Sequence, residues 1–179
     1  MTNATTAAPI ARPRHDEYVP YYEKYVSLVP DGDLVETLRT QIGETLSLLR
    51  AIPEARASHR YAPEKWSIKE VVGHLADVER VMAYRALRLA RADATPLPGF
   101  DENAYVPAAN FEARSLGSLA HELKEVRRAT VAFFETLDPD AAARRGSVNN
   151  NQISARALAY IIAGHERHHV GILKERYLK

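Results

Sequence analysis

Residues 165–169 of this chain read His-Glu-Arg-His-His and match the pattern H-E-x-x-H. On an α-helix this spacing places His165 and His169 on one face, with their Cβ atoms about 6 Å apart. Two imidazoles in that relation can bind one divalent metal ion, each nitrogen at about 2.0–2.1 Å. The same pattern supplies the zinc ligands and the general base, here Glu166, of many metalloproteases. The pattern therefore predicts a metal site, with a histidine pair on a polar flank of a helix as the alternative.

A third histidine far upstream completes the predicted site. His74 lies in the stretch SIKEVVGHLADVERV, with Val71 and Val78 on its side of a predicted helix. By itself His74 would fit a histidine of the hydrophobic core. If its helix is a neighbour of the last helix, however, three imidazoles face one another and leave one coordination position open, as in catalytic metal sites. We therefore predict His74, His165 and His169 as metal ligands.

The position of the motif argues against a metalloprotease. In many such proteases the third ligand lies on a later segment. Here the chain ends ten residues after His169, and the only acidic residue there is Glu175, on a poorly matched face of the same helix. Glu166 follows His165 directly and so points about 100° around the helix from it. A role for Glu166 as a general base stays open at this stage.

Composition narrows the class of protein and its partners. The chain has 24 basic and 23 acidic residues, so no global charge attracts nucleic acid or a membrane surface. No cysteine is present, so thiolate ligands and a catalytic thiol of the chain itself are excluded. No stretch approaches the roughly 18–20 apolar residues of a membrane span, and the N-terminus lacks a signal-peptide core. We expect a cytoplasmic protein that acts on a small molecule, with neither nucleic acid nor membrane as partner.

Four segments with helical periodicity must position the histidines. The second has a clear start signal, because Ser67 and Glu70 form a capping box. The predicted helices run from Asp33 to about Ala51, from Ser67 to about Ala90, from Ser115 to Leu137, and from Ser154 nearly to the C-terminus. The pattern predicts an all-α fold, a four-helix bundle.

The remaining segments define the predicted domain. Residues 1–16 are small, polar and contain proline, which is typical of a disordered lead-in, and residues 17–179 are predicted to form one domain. A loop of about 20 residues separates the second and third helices, and loops of that length are usually functional or tightly packed. Its residues Pro98–Glu102 and the turn Ser147–Asn151 are candidates for lining the mouth of the site.

Two motifs, Trp66–His74 (WSIKEVVGH) and Gly164–His169 (GHERHH), together resemble the DinB-like superfamily. Within it, the chain is most similar to the YfiT-type metal-dependent hydrolases and bacillithiol transferases. The resemblance extends from about Tyr18 to the C-terminus and implies a four-helix bundle that forms homodimers. It also implies a divalent metal, zinc or nickel, held by the three predicted ligands. His168 matches the histidine that is not a ligand and would serve the pocket instead.

The resemblance implies an activity but leaves its chemistry open. It favours transfer of a low-molecular-weight thiol, similar to bacillithiol, onto a small electrophile. Metal-dependent hydrolysis of a small substrate is the second possibility, and a metal-stabilised bundle that only binds a ligand or partner is the third. On these interpretations Glu166 and His168 are the candidate catalytic residues beside the metal.

A stripe of arginines on the second helix is the candidate binding site for the thiol. Arg80, Tyr84, Arg88 and Arg91 recur every three to four residues. Guanidinium groups bind carboxylates through paired hydrogen bonds, so Arg80 and Arg88 could bind an acidic cofactor or substrate. The alternative is a solvent-exposed basic face without a ligand.

Overall fold

A computed structural model describes residues 9–179 of the chain. Four long helices form a bundle in which α3 packs against α5 and α7, and α2 packs against the same two helices. The predicted four-helix bundle is thus confirmed. The elements in chain order are α1 Glu23–Val26, α2 Leu34–Arg50, α3 Ile68–Ala90, α4 Glu102–Ala109, α5 Leu116–Phe134, α6 Pro139–Ala143, β1 Arg145–Val148, β2 Asn151–Ser154 and α7 Ala155–Ile172.

Side-chain caps determine where the bundle helices begin. The Ser67 hydroxyl accepts a hydrogen bond from the backbone N–H of Glu70, and the Glu70 carboxylate accepts one from the N–H of Ser67 at 2.8 Å. This is the predicted capping box at the start of α3. The side chains of Asp33, Ser115 and Ser154 accept hydrogen bonds from backbone N–H groups at the starts of α2, α5 and α7, without the reciprocal bond of a capping box. None of the helices within residues 9–179 combines the length and apolarity needed to cross a membrane.

The segments between the bundle helices contain more structure than the sequence predicted. The long loop after α3 includes the short helix α4. The β1–β2 hairpin was not predicted; Asn149 and Asn150 form its two-residue turn, with φ of 49° and 61°. Such left-handed pairs match the twist of a hairpin, and asparagine tolerates them. The hairpin binds the long loop through the N–H of Leu97, which donates to the carbonyl of Ser147 at 2.9 Å.

Part of the predicted N-terminal lead-in packs on the bundle. Residues 1–8 lie outside the described residues. Beyond them, Ile10 is buried, and the guanidinium of Arg12 donates to the carbonyl oxygens of Val26 at 3.0 Å and Val29 at 2.6 Å. Residues 9–16 therefore differ from the disordered segment predicted for 1–16, because Ile10 is buried and Arg12 bonds backbone carbonyls at the C-terminal end of α1 and just after it.

A layer of polar side chains crosses the interior of the bundle. Arg127 of α5 forms two hydrogen bonds of 2.8 Å with the carboxylate of Glu79 on α3 and an ion pair of 2.8 Å with Glu166 on α7. Thr45 of α2 donates to Glu166 at 2.6 Å, and Gln41 of α2 also donates to it. Burial opposes the charge of Arg127, but the two carboxylates outweigh burial and raise its pKa.

Glu17 attaches the N-terminal segment to the start of α7. Its carboxylate is 1% exposed and accepts hydrogen bonds of 2.7 Å from the hydroxyl of Ser154 and from Nε of Arg156. Burial alone would raise the pKa of Glu17, but these hydrogen bonds outweigh burial and lower it to about 2. The charged carboxylate therefore stabilises the folded chain at neutral pH.

We predict that Glu17 makes the stability depend on pH in the acid range. Its folded-state pKa lies below the ordinary value of 4.5, so its stabilisation is complete above about pH 4.5 and is lost as the pH falls toward about 2. Glu17→Gln should lower the free energy of unfolding by about 3 kcal/mol at neutral pH and by much less near pH 2. Urea unfolding across this range measures the difference between the two proteins, and a difference that does not change with pH would contradict the prediction.

Candidate metal centre

Three histidines meet where α3 packs against α7. The Nε2 atoms of His74 and His165 lie 3.1 Å apart. One ring nitrogen from each of His74, His165 and His169 lies within 4.8 Å of the other two. Among residues 9–179 no other group of three or more histidines and carboxylates comes this close. The structure therefore brings together the three histidines that the sequence analysis selected.

The ring nitrogens of His74 and His165 have the spacing that two ligands of a divalent metal ion require, and all three imidazoles have the charge state. Ligand nitrogens about 2.0–2.1 Å from a tetrahedral ion lie about 3.3 Å from each other, close to the separation of the His74 and His165 nitrogens. Metal ligation needs neutral imidazoles. Burial lowers the pKa of His74 to about 4 and that of His169 to about 3, and it also lowers the pKa of His165. Three neutral imidazoles suit zinc or nickel.

Gly164 allows α1 to approach α7 beside the histidines. A Cβ atom at this position would overlap the backbone carbonyl of Tyr25, so no larger residue fits without movement of the backbone. The Tyr25 ring then lies edge-on to the rings of His165 and His168, with centroids 5.3 and 5.4 Å away. At Gly171 a Cβ would meet nothing within 4 Å. Of these two glycines, only Gly164 is approached closely by another part of the described chain.

The histidines line a cavity of about 490 Å³, a size suited to a small molecule. Aromatic side chains contribute much of its wall: Tyr21, Tyr22, Tyr25, Trp66 and Phe100. As predicted, the long loop and the hairpin turn also line it, through Gly99 and Glu102 and through Val148, Asn149 and Asn151. The cavity is therefore lined by segments from both the N-terminal and the C-terminal parts of the described chain.

Glu166 does not face this cavity. Its carboxylate is 3% exposed, and its oxygens accept from Thr45, Gln41 and Arg127 in the polar layer. Successive helical residues point about 100° apart, so the rotation that turns His165 toward α3 turns Glu166 into the core. The structure contradicts the prediction that Glu166 is a catalytic base, because both of its oxygens serve the bundle.

His168 lies beside the three histidines without joining them. It is half-buried in the cavity wall, and its ring centroid is 5.2 Å from that of His169. Burial and the nearby Lys24 lower its pKa, so the ring is neutral at physiological pH. This position agrees with a pocket histidine that does not bind the metal. Its catalytic role stays a prediction.

Arg80 and Arg88 lie outside the cavity. Arg80 forms an ion pair of 2.6 Å with Glu122 of α5, and Arg88 forms one with Asp93 and a hydrogen bond with the hydroxyl of Tyr84. Both arginines thus have partners within the protein and occupy the outer side of α3. Neither arginine lines the cavity of the histidines, and the structure gives both of them partners within the protein where the sequence suggested a cofactor.

The structure instead places Arg85 in the cavity wall. Arg85 follows His74 by eleven residues, and at 100° per residue the two differ by 1,100°, about 20° more than three full turns. They therefore share one face of α3 with Val78 and Met82, which also line the cavity. Arg85 was not among the residues predicted from the sequence, although its helical phase relative to His74 was the signal that could have identified it.

A helical bundle with two buried histidines and one half-buried histidine on two adjacent helices defines the class of this protein. The family model of the DinB superfamily matches residues 37–173, and the chain belongs to that superfamily. A protein of Oceanobacillus iheyensis, provisionally named a metal-dependent hydrolase, is 27% identical over 146 residues, which cover 78% of this chain and 79% of that protein.

A solved structure has the same fold. YfiT from Bacillus subtilis, described as a probable metal-dependent hydrolase with an unusual four-helix bundle topology, superposes with a TM-score of 0.67. The alignment covers 93% of this chain and 91% of YfiT at 17% sequence identity. At that identity the likeness establishes the shared fold.

The two glycines of α7 provide a matched test of the close approach to α1. Gly164→Ala should lower the free energy of unfolding by about 2–3 kcal/mol, because the added methyl group displaces the backbone of α1. Gly171→Ala, in open space on the same helix, should be neutral or stabilise by up to about 1 kcal/mol. Thermal and urea unfolding of both variants measure the difference; equal effects would show that α1 does not pack on Gly164.

Proposed function

We propose that this protein is a metal-dependent enzyme in which His74, His165 and His169 hold a divalent metal ion beside the cavity. The observation that carries the proposal is the convergence of three neutral ring nitrogens within 4.8 Å of one another. Membership of the DinB superfamily and the names of two metal-dependent relatives support it. The size of the cavity limits the substrate to a small molecule.

Transfer of a low-molecular-weight thiol to a small electrophile is the reaction that we propose first. A divalent metal at this site would stabilise a thiolate at neutral pH, or hydroxide in place of water. Thiols ionise near pH 8.5, so they need much less help from a general base than water does. The carboxylate of Glu166 is buried in the polar layer, where it pairs with Arg127. Glu102 is the only carboxylate in the described cavity wall, and it is not part of the histidine group. Because no carboxylate among residues 9–179 is placed as a base beside the histidines, a thiol is favoured over water.

The residues of the chain have separable roles in this proposal. The aromatic wall formed by Tyr22, Tyr25 and Trp66 would exclude water and hold the electrophile. His168 would accept the thiol proton on a ring nitrogen, because it is neutral and lines the same cavity. The thiol must be a co-substrate since the chain has no cysteine.

Hydrolysis of a small substrate is the second candidate, and the names of the relatives favour it. In that case His168 would take the proton from water, the role first considered for Glu166. The homodimer and the cytoplasmic location expected from the sequence stay predictions.

Metal analysis tests the proposed site. Protein purified without an affinity tag should contain about one zinc or nickel ion per chain, in line with one three-ligand site. His165→Ala and His74→Ala should lose most of the metal, whereas His168→Ala, a matched change on the same helix, should keep it. Chelation should abolish activity and leave the helical circular dichroism largely unchanged. Metal retained by both ligand variants would refute the site; unfolding on chelation would make the metal structural.

A fluorogenic electrophile separates the two reactions. Monochlorobimane should be consumed by the metal-loaded protein only when a thiol is added, and His168→Ala should slow this reaction by about 100-fold if His168 moves the proton. His121→Ala, on the exposed face of α5, serves as the control and should have no effect. Equal turnover of a small ester with and without thiol would instead establish the hydrolase.

A further inference from the structure

Arg85 is a buried cation in the cavity wall for which residues 9–179 provide no carboxylate partner. It is 4% exposed and lines the same cavity as the histidines. Arg127, the other deeply buried arginine, shows the usual arrangement, because two carboxylates neutralise it. Buried charges are normally paired, since removing an ion from water is costly. The unpaired state of Arg85 therefore needs an explanation outside the bundle core.

The contacts of Arg85 hold its guanidinium in place and leave hydrogen-bond donors unused. Nη2 donates to the carbonyl oxygen of Pro98 at 2.7 Å, and Nη1 contacts the sulfur of Met82, a weak acceptor, at 3.7 Å. The guanidinium lies over the ring of Phe100, 5.1 Å from its centroid. A guanidinium carries five N–H donors, so three have no acceptor among residues 9–179. Burial lowers the pKa of Arg85, but arginine keeps its charge at neutral pH.

The rest of the cavity wall does not neutralise this charge. Glu102 is the only acidic residue in the described lining; it is half-buried and forms no ion pair with Arg85. The neighbouring side chains Tyr22, Phe100 and Met82 are aromatic or apolar. An anion that enters this environment would meet a positioned cation with little competing water, where a charge-assisted hydrogen bond is strong.

We propose that Arg85 binds a carboxylate of the ligand whose other end reaches the histidines, and so selects elongated acidic molecules. The inference rests on the proposed function and adds a substrate class to it. Eleven residues at 1.5 Å each separate the Cα atoms of His74 and Arg85 by about 16 Å along α3. Side-chain lengths shorten that span, so the ligand must bridge on the order of 10 Å. Arg85 is thus a specificity-determining residue, and it takes no part in the bond-forming step.

A pair of thiols of equal length tests this proposal. Mercaptooctanoate carries a carboxylate at the far end from its sulfur, and mercaptooctanol carries a neutral hydroxyl there. Calorimetry on the cobalt-loaded protein gives the Kd of each thiol. The visible absorption band that appears when a thiolate joins cobalt reports separately whether sulfur reaches the metal. The variants are Arg85→Gln and, as matched control one turn along the same helix, Arg88→Gln.

We expect the wild type and Arg88→Gln to bind the acid about tenfold more tightly than the alcohol, and Arg85→Gln to bind both equally. The role of Arg85 would be overturned if the wild type bound the acid and the alcohol equally, or if Arg85→Gln still bound the acid more tightly. Arg85 would then only support the Pro98 loop. If neither thiol produces the absorption band but the acid preference depends on Arg85, the thiol-transfer proposal fails and the carboxylate site stands.

Folding of the variants is checked by circular dichroism and by metal content. Should Arg85→Gln fail to fold, Arg85→Lys takes its place. Lysine keeps the charge but cannot form the paired contacts of a guanidinium with a carboxylate. Arg85→Lys must therefore reduce the acid preference; an unchanged preference would contradict the proposal.

Discussion

The ion pairs of Arg127 with Glu79 and Glu166 are the constraint on which the geometry of this protein depends. They join α5, α3 and α7 inside the bundle, and the hydrogen bonds of Glu166 with residues of α2 add the fourth helix. A buried charge that loses one partner costs about 3–5 kcal/mol, so each helix is held in one rotation about its axis. Because Glu166 must face this layer, His165 beside it must face α3.

The orientation of α7 explains why one region of the interior is a core and its neighbour a cavity. On the core side, side chains from all four helices satisfy one another. On the other side, Gly164 admits the backbone of α1, whose Tyr25 ring covers the histidines. Burial keeps the imidazoles neutral, which is the state that a metal ion binds. The same exclusion of water thus shapes the cavity and prepares its ligands.

The cavity has two chemically different features along one helix. The histidines supply neutral nitrogen donors, and Arg85 supplies a fixed positive charge about three turns further along α3. Beyond the residues of α3 and α7, the long loop, the hairpin and the N-terminal segment provide the wall of the cavity. Such segments can vary in sequence without disturbing the bundle. On the function that we propose, the loops and Arg85 would determine substrate choice, and the bundle would hold the metal.

The sequence by itself determined the four long helices, the capping box of α3 and the pair of His165 and His169, because periodicity, the Ser67–Glu70 capping box and the histidine spacing are signals within a few turns of one helix. The meeting of His74 with this pair depended on the packing of α3 against α7. The sequence alone did not show that the carboxylate of Glu166 faces the polar layer, or that Arg85 lines the cavity. Those features depend on how α7 and α3 are rotated, which is set by residues as distant in sequence as Gln41 and Arg127. The hairpin was not predicted either, because its strands are only four residues long and their buried and exposed residues do not alternate regularly. Local signals specify which elements form; packing between distant elements decides what each side chain faces.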